Sequence, residues 1–412
     1  MKRTLRAGRF SAQMWLLAGG TFLGSLSLSL IWPFLTIYIR EQLDVPLTTV
    51  TSLFTLQSVA GLAGTMVISP LMDHFGRRNA MVIGLVASSL NLVAMSGADT
   101  LWQWAILVPL YGVVNSVFRI GSYAMVADMV DSSDRAEVFA LLRMGDNLGI
   151  ALGPALGGLL ISVGYTLTYL LAAAIQVVLA VFVLTMLHET LPEHGAPSAS
   201  GVRVPSLGYG PLLRDRVFMS VWGFYILVQI ANSMVFMLLG VYVKENYAIN
   251  EEMYGWIIVV NAVLIVAFQY AVTRRTDRHA PLPVLMLGAL LYAAGLGIFA
   301  LSRDVAGFVL GMSVLTFGEM VIVPTATTVT AHLAPVDMRA RYMGAFSLSF
   351  RIGSGVGPVA GGWLSEAVAP AATWYGGGTV CLIAAAGYLV LGRIPAFGAR
   401  LAPQPVEAEP TA

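Results

Sequence analysis

Five charged residues lie inside stretches of the sequence that are otherwise strongly apolar: Arg119, Arg143, Asp146, Glu319 and Arg351. A charge at the centre of a membrane-spanning helix costs roughly 2.5–3.5 kcal/mol even on a lenient insertion scale, so such residues usually have a function. A buried carboxyl group can take up and release a proton, and a guanidinium group can pair with it. The types of these residues therefore indicate proton coupling, ion pairing or contact with a polar solute.

The two acids are the candidates for proton coupling. Glu319, in the segment FGEMVIVP, has no base near it in the sequence, so burial would raise its pKa and let it carry a proton near neutral pH. The alternative is a carboxylate paired with Arg351 or Arg119. Asp146 follows Arg143 by three residues, which puts the two within reach on one helix. That pair is equally well interpreted as a structural bridge or as part of a carrier site.

Polar residues also recur at helical spacing in one apolar segment. Tyr111, Asn115, Arg119 and Ser122 fall on one face of a helix, which either lines a water-filled cavity or holds helices together by hydrogen bonds. With Arg143 and Arg351 they are the candidates for a substrate cavity. Three intramembrane arginines against two acids favour a neutral, zwitterionic or anionic substrate over a simple cation.

The composition identifies the elements that must position these residues. Of 412 residues, 57% are hydrophobic and only 11% are charged, whereas a soluble domain has about 25% charged residues. Apolar runs long enough to cross a bilayer as helices recur along the chain. We predict twelve spans, at about 14–38, 48–70, 80–97, 102–127, 137–162, 165–187, 217–243, 253–273, 282–301, 305–330, 341–365 and 370–392. The sequence therefore predicts an all-α, multi-pass membrane protein.

The basic residues predict an orientation. If both termini are cytoplasmic, most Lys and Arg residues outside the spans are cytoplasmic, and only Arg40, Lys244 and Arg303 lie on the opposite side. A first span that runs well beyond signal-peptide length is expected to be retained. We predict an N-terminal six-helix bundle (1–187), a cytoplasmic linker rich in Pro, Gly and Ser (188–216), a C-terminal six-helix bundle (217–392) and a cytoplasmic tail (393–412).

The two predicted bundles are repeats of each other. The segment GIALGPALGG at 149–158 recurs as GSGVGPVAGG at 353–362, an offset of 204 residues. The same offset aligns TIYIREQ (36–42) with GVYVKEN (240–246) and Arg135 with Arg339. Because six spans return the chain to its starting side, the repeats are parallel, which is one of the known architectures of transporters.

The duplicated segment combines small residues with a proline. Gly149, Gly153 and Gly157 are spaced by four and share one helix face, so a neighbouring backbone can come close. Pro154 removes a backbone donor and bends the helix beside that face. Tight packing alone, or a bent helix at the contact between the halves, explains the motif. Its full set of residues is Gly149, Gly153, Pro154, Gly157, Gly158, Gly353, Gly357, Pro358, Gly361 and Gly362.

These features resemble the major facilitator superfamily over essentially the whole chain. The loop SPLMDHFGRRNAM (69–81) is similar to that superfamily's loop between the second and third spans, with Ser69 in place of a glycine. The segment GIALGPALGG resembles the fifth-span motif of its drug–proton antiporter branch, and HETLPE (188–193) is a familiar ending of the sixth span. The first span lacks the acid that drug–proton antiporters often carry there.

The resemblance implies roles for the residues of the 69–81 loop. It implies a cytoplasmic gate in which Asp73 approaches the start of the eleventh span and Arg77 pairs with Asp128, with Gly76 and Arg78 beside them. A plain positively charged turn is the alternative. The second copy keeps Asp277 but has Ala280 in place of the glycine, so a weaker counterpart is expected there.

The function expected from these observations is secondary transport by alternating access, with export of amphipathic drug-like molecules driven by proton entry. A proton-linked carrier of an organic anion or lipid-like substrate is the alternative, followed by a membrane receptor or scaffold that transports nothing. We expect no enzyme activity, cofactor, metal or nucleic acid, an inert Cys381, location in the plasma (inner) membrane and function as a monomer.

Overall fold

The computed structural model describes residues 11–130, 135–190, 210–335 and 338–401. Most of the predicted linker (188–216) and the end of the predicted tail (393–412) lie outside the described residues. Within the described ranges the regular structure is helical, and no strand is present. This agrees with the prediction of an all-α fold made from the apolar runs.

Eight α-helices form the first half of the chain. They are α1 (Ala12–Ile31), α2 (Leu35–Leu43), α3 (Leu47–Phe75), α4 (Arg77–Ser96), α5 (Leu101–Val114), α6 (Val117–Met129), α7 (Arg135–Val163) and α8 (Tyr165–Met186). A 3-10 turn at Trp32–Phe34 joins α1 to α2, because Pro33 cannot donate a backbone hydrogen bond. These two helices together make the first span.

The second half repeats this order with fewer interruptions. It contains α9 (Gly210–Arg214), α10 (Arg216–Tyr247), α11 (Glu251–Thr276), α12 (Pro281–Leu301), α13 (Val305–Leu333), α14 (Arg339–Ala367), α15 (Ala372–Gly392) and α16 (Pro395–Leu401). Among the described residues, eleven spans are long and apolar enough to cross a membrane. The predicted span that is not among these eleven is the eleventh (341–365), which corresponds to α14; this helix is 29 residues long but rich in Gly and Ser and carries Arg351.

The fourth span differs from its prediction as one continuous helix. It is divided at Asn115 and Ser116 into α5 and α6. Pro109 lies within α5, and the Ser116 hydroxyl donates to the Val113 carbonyl oxygen at 2.8 Å instead of continuing the helix. The face on which the sequence placed Tyr111 and Ser122 is therefore not continuous.

The described helices belong to two compact units. Unit one comprises Met1–Arg203, Met234–Ala262 and Ser354–Pro370, and unit two comprises Val204–Ser233, Val263–Gly353 and Ala371–Ala412. Unit one thus contains the first half of the chain together with parts of α10, α11 and α14. Its apolar core lies between α1, α4, α6, α7 and α8, around buried residues such as Leu17, Leu85, Met125, Leu142 and Leu179.

Candidate transport site

The glycines of α7 pack against the first span. A Cβ atom built on Gly149 would lie 2.6 Å from the carbonyl oxygen of Phe22, and one built on Gly153 would collide with the backbone of Ser29. Gly157 meets the carbonyl of Leu30 in the same way. Since backbone atoms cannot move aside as a flexible side chain can, the glycines are needed for this approach of α7 to α1.

The glycine row extends further than the sequence motif suggested. Gly145, one turn before Gly149, lies against the carbonyl of Ala18. The spacing of four residues continues unbroken from Gly145 to Gly157. That spacing was the available signal for Gly145, because helical positions four apart share a face.

Pro154 and Gly158 face a different helix. A Cβ on Gly158 would lie 2.8 Å from the Glu251 carbonyl oxygen, and a Cβ on Gly255 would lie 2.7 Å from the Pro154 carbonyl oxygen. The part of α7 around Pro154 therefore packs on the first turns of α11 within unit one. Helix α7 thus contacts the first span (α1) through its glycine face and the eighth span (α11) through the side that carries Pro154 and Gly158.

The second copy of the motif has the repeat-related environment. Gly353 packs on the carbonyl of Gln229, which is 204 residues after Ser25, a neighbour of Gly149. Gly362 packs on Leu47 and Thr51 of α3, which are 204 residues before Glu251 and Gly255. The contacts are therefore duplicated along with the sequence. Three further residues of the copy, Gly357, Pro358 and Gly361, are buried in α14.

The four polar residues of the fourth span do not form one exposed stripe. Tyr111 is buried, and so is Ser122, whose hydroxyl donates to the Phe118 carbonyl of its own helix at 2.9 Å. Arg119 is exposed and Asn115 is half-buried. Because the helix is divided between them, only Asn115 and Arg119 have side chains directed out of the packed interior.

Arg143 and Asp146 do not form the bridge that was one of the two alternatives. The Asp146 carboxylate accepts a hydrogen bond from the Ser25 hydroxyl of α1, while Arg143 is exposed. Among the described residues, no ion pair or side-chain hydrogen bond involves Arg143. Sequence reasoning missed Ser25, because 121 residues separate it from its partner.

Glu319 lies near two tyrosines of unit two. It is half-buried at the middle of α13 and close enough to Tyr225 of α10 and Tyr292 of α12 to act on both hydroxyls electrostatically. The Tyr292 hydroxyl also donates to Asn232 Oδ1 at 3.3 Å. Arg351, in α14, is half-buried. Tyrosines of two other helices, α10 and α12, are thus within electrostatic range of this acid.

The loop between α3 and α4 brings several predicted gate residues together. Arg77 Nε lies 3.1 Å from Asp128 Oδ2, and Arg78 donates to the Leu184 carbonyl at 2.7 Å. Gly76 has a φ of +91°, a left-handed value that favours glycine. The side chain of Asp73 lies outside the described residues. Asp277 is exposed, and no ion pair joins it to the part of the chain that the structure describes.

Glu189 completes this loop and was missed by sequence reasoning. Its carboxylate accepts hydrogen bonds from the backbone N–H groups of Arg77 and Arg78, both at 3.0 Å. A carboxylate at a helix N-terminus satisfies free donors and interacts favourably with the helix dipole. The segment HETLPE contains this acid, but its partner lies more than 110 positions earlier in the chain.

A cluster of charges joins the two halves of the chain at one end of unit one. We call it the outer clasp, after the predicted orientation; it consists of Arg40, Glu41, Lys244, Glu245 and Glu251. Arg40 pairs with Glu245 at 3.0 Å, and Lys244 pairs with both Glu41 and Glu251. The Tyr165 hydroxyl donates to Glu251 at 2.7 Å. The sequence aligned these residues as repeats but did not predict that they pair.

Unit two contains a second charged cluster around Asp215. The buried Asp215 carboxylate accepts two parallel hydrogen bonds from Arg400, at 2.7 and 2.8 Å, and one from the Tyr342 hydroxyl at 2.9 Å. It also caps α10 through the N–H groups of Val217 and Phe218. This arrangement ties α16 to the first turns of α10 and α14.

Comparison with known proteins decides the family. Residues 17–243 and 221–410 match the model described as Major Facilitator Superfamily. The chain belongs to this superfamily. It is 26% identical to a Na(+), Li(+), K(+)/H(+) antiporter of Planococcus maritimus, over 88% of this chain and 90% of the relative. It is also 26% identical to the multidrug resistance protein MdtH of Escherichia coli (strain SE11), over 72% of each.

Solved structures agree on the fold. A crystal structure of a POT family transporter in complex with 5-aminolevulinic acid has a TM-score of 0.78 to this chain at 15% identity, covering 93% of this chain and 96% of the other. The family match and the relatives identify the protein as a multi-pass membrane transporter of small-molecule substrates rather than an enzyme. Among the described residues, no group of His, Cys, Asp and Glu side chains could hold a metal ion.

Proposed function

We propose that this transporter exports amphipathic, drug-like molecules in exchange for protons, by alternating access in the bacterial plasma membrane. Support comes from the fifth-span motif, which resembles that of drug–proton antiporters. Two relatives are named as a multidrug resistance protein and as a cation/proton antiporter. Both termini are cytoplasmic in this proposal, because most basic residues outside the spans then lie on the cytoplasmic side.

In this proposal the two halves of the sequence are the two structural parts of the transporter. Residues 1–187 and 217–392 act as two six-helix bundles, joined by the 188–216 linker, and a single copy of the chain is sufficient for transport. The loop of Asp73, Arg77 and Asp128 acts as the cytoplasmic gate, and the outer clasp acts on the other side. The duplicated contacts of Gly158 and Gly362 support this division, since each repeat supplies the same contact to the other.

The observation that carries proton exchange is Glu319. It lies at the middle of a 29-residue span, within electrostatic range of Tyr225 and Tyr292. A carboxyl group at this depth is expensive to keep unless it works in transport. Asp146 is the second candidate, because its contact is the neutral hydroxyl of Ser25 rather than a base.

The test uses inside-out vesicles with a respiration-driven pH gradient and a panel of cationic, neutral and anionic amphipathic compounds. A transported compound is expected to dissipate part of the gradient with the native protein and not with Glu319→Gln or Asp146→Asn. Asp99→Asn removes an exposed acid outside the spans and serves as the control. Dissipation that is unchanged in both Glu319→Gln and Asp146→Asn would contradict coupling through these acids.

A further inference from the structure

Two arginines of unit one, Arg119 of α6 and Arg143 of α7, lie at the same depth on neighbouring helices. Their register follows from the stacked rings of Tyr123 and Phe139, whose centroids are 5.0 Å apart with an interplanar angle of 15°. Successive spans cross the membrane in opposite directions. Arg119 precedes Tyr123 by four residues, and Arg143 follows Phe139 by four residues. Each arginine therefore lies one turn deeper on its helix than the aromatic pair.

The same step repeated once more on α7 reaches an amide, because Asn147 follows Arg143 by four residues. On α6 the step ends at Arg119, since that helix begins at Val117 and Asn115 lies at the break before it. Arg119 lies about 15 Å along α6 from Met129, and Arg143 lies about 12 Å along α7 from Arg135. Both are therefore about two turns or more from those two helix ends.

Most of the exposed apolar surface of α7 lies away from Arg143. Met144, Leu148 and Leu152 are exposed on a face roughly 120° from Arg143 and Asn147, whereas the exposed Ile150 shares the arginine face. A charged group at this depth is kept where it meets water or a ligand. We therefore expect the exposed arginines to meet a water-accessible surface.

The nearby acids do not neutralise the arginines. Asp146 is directed to Ser25 of α1, and Asp128 is paired with Arg77. Within the described residues, neither Arg119 nor Arg143 has a side-chain hydrogen bond or an ion pair. Packed helices are about 8–10 Å apart, so two arginine side chains at one level can contact the same small anionic group. Guanidinium groups hold carboxylates and phosphates by paired, charge-assisted hydrogen bonds.

We propose that Arg119 and Arg143, with Asn147 one turn beyond Arg143, bind the anionic group of an amphipathic substrate, a carboxylate, sulfonate or phosphate. The Tyr123–Phe139 pair lies beside the apolar part of that molecule. This inference rests on the proposed function for the amphipathic nature of the substrate, and it adds the sign of the substrate's charge. It requires neither proton coupling nor a direction of transport.

The test is equilibrium binding to purified protein in phosphatidylcholine nanodiscs, with no pH gradient. The probes are radiolabelled decanoate and decyltrimethylammonium, which share an alkyl chain but differ in charge. Arg119→Gln and Arg143→Gln are each expected to weaken decanoate binding about tenfold, since each removes charge-assisted hydrogen bonds. Binding of decyltrimethylammonium is expected not to weaken in either variant.

The controls separate a lost ligand contact from a lost fold. Arg303→Gln removes an exposed arginine outside the spans and is expected to bind decanoate like the native protein. Arg119→Lys and Arg143→Lys keep the charge and should retain part of the affinity. Decanoate that does not bind the native protein, or that binds both Gln variants as tightly as the native protein, would overturn the proposal.

A lipid headgroup could supply the same chemistry, and a second arm distinguishes the sources. Nanodiscs that contain phosphatidylglycerol are compared with those of phosphatidylcholine alone. Competition with decanoate that requires both arginines assigns the site to an anionic headgroup, and absence of competition assigns it to the free amphiphile. Either result supports an anion site. A failure of proton exchange in the vesicle assay would leave this binding result unchanged, so the two proposals can fail separately.

Discussion

Arg40 Nε lies 3.0 Å from Glu245 Oε1, and the ion pair between Lys244 and Glu41 repeats this contact with the charges exchanged. The offset of 204 residues relates Arg40 to Lys244 and Glu41 to Glu245. The base of each repeat therefore forms an ion pair with the acid of the other repeat. Reciprocal pairing of this kind follows from a parallel duplication when the equivalent ends of two helices meet.

Lys244 is expected to hold the outer clasp together, because it pairs with two acids at once. Lys244→Ala should shift the protein toward a state open at this end. Partly exposed pairs contribute up to about 1 kcal/mol each, so the loss of two corresponds to a change in population of up to about 30-fold. The readout is the reaction of Ile37→Cys with a membrane-impermeant thiol reagent in a Cys381→Ser background, since Ile37 is buried against this region.

The matched variants make this measurement specific. Lys244→Arg keeps the positive charge between Glu41 and Glu251 and should return the reaction rate toward the native value. Asn246→Ala alters an exposed residue of the same turn and should have no effect. Equal rates in Lys244→Ala and in the native background would show that the clasp does not hold this end closed.

The glycine row of α7 makes a prediction about packing. Gly149→Ala and Gly153→Ala each place a methyl group on the backbone of α1, and overpacking of this kind typically costs about 1–3 kcal/mol. We expect a lower unfolding temperature in detergent and reduced transport. Gly19→Ala and Gly223→Ala meet no atom within 4 Å and should leave both unchanged. A native unfolding temperature in Gly153→Ala would refute the need for a glycine there.

The features that could be predicted from the sequence are those that depend on local spacing. The glycine row is one, since residues four apart share a face whatever the helix packs against. The contacts of Gly149 with α1 and Gly353 with α10 follow the repeat. The apolar runs likewise predicted the positions of the spans, because the bilayer thickness fixes the length of a helix that crosses it.

The features that could not be predicted depend on partners distant in the chain. Ser25 meets Asp146 across 121 residues, and Asp215 meets Arg400 across 185 residues. No local pattern distinguishes these residues from other polar residues. The interruption of the fourth span at Asn115 was missed for a related reason: Pro109 lies in the preceding turns, and tertiary packing decides where such a helix breaks.

Glu189 is expected to stabilise the cytoplasmic loop of unit one. Glu189→Gln removes the negative charge at the N-terminus of α4, and contributions of helix caps and dipoles predict a loss of about 0.5–2 kcal/mol in the free energy of unfolding. Denaturation in detergent measures it. His188→Gln changes the exposed neighbour and is the control. Equal stability of the two variants would mean that the cap contributes nothing measurable.

Asp73 tests the gate that the resemblance implies. Asp73→Asn removes the charge expected to act on the start of α14 and should reduce transport several-fold without lowering expression. Asp128→Asn should have a similar effect, because it breaks the pair with Arg77. Transport rates normalised to the amount of protein in the membrane give the comparison. Unchanged transport in Asp73→Asn would reject the gate and leave a plain positively charged turn.

The pairing of Arg400 with Asp215 predicts that the C-terminal helix α16 supports unit two. In Arg400→Ala the buried Asp215 carboxylate keeps its hydrogen bonds from Tyr342 and the backbone N–H groups but loses its ion pair with Arg400. Hydrogen bonds to charged groups contribute about 1.5–3 kcal/mol. Because Arg400 is 47% exposed, we expect a loss toward the lower end of that range.

Three comparisons isolate the contribution of this pair to the unfolding free energy in detergent. Arg400→Lys keeps the charge but not the two parallel hydrogen bonds, so it should recover only part of the loss. Arg393→Ala removes an exposed arginine near α16 and should cost little. A double-mutant cycle with Asp215→Ala should give a coupling energy of at least about 1 kcal/mol. A coupling near zero would mean that α16 is held by its buried Leu401 and not by the ion pair.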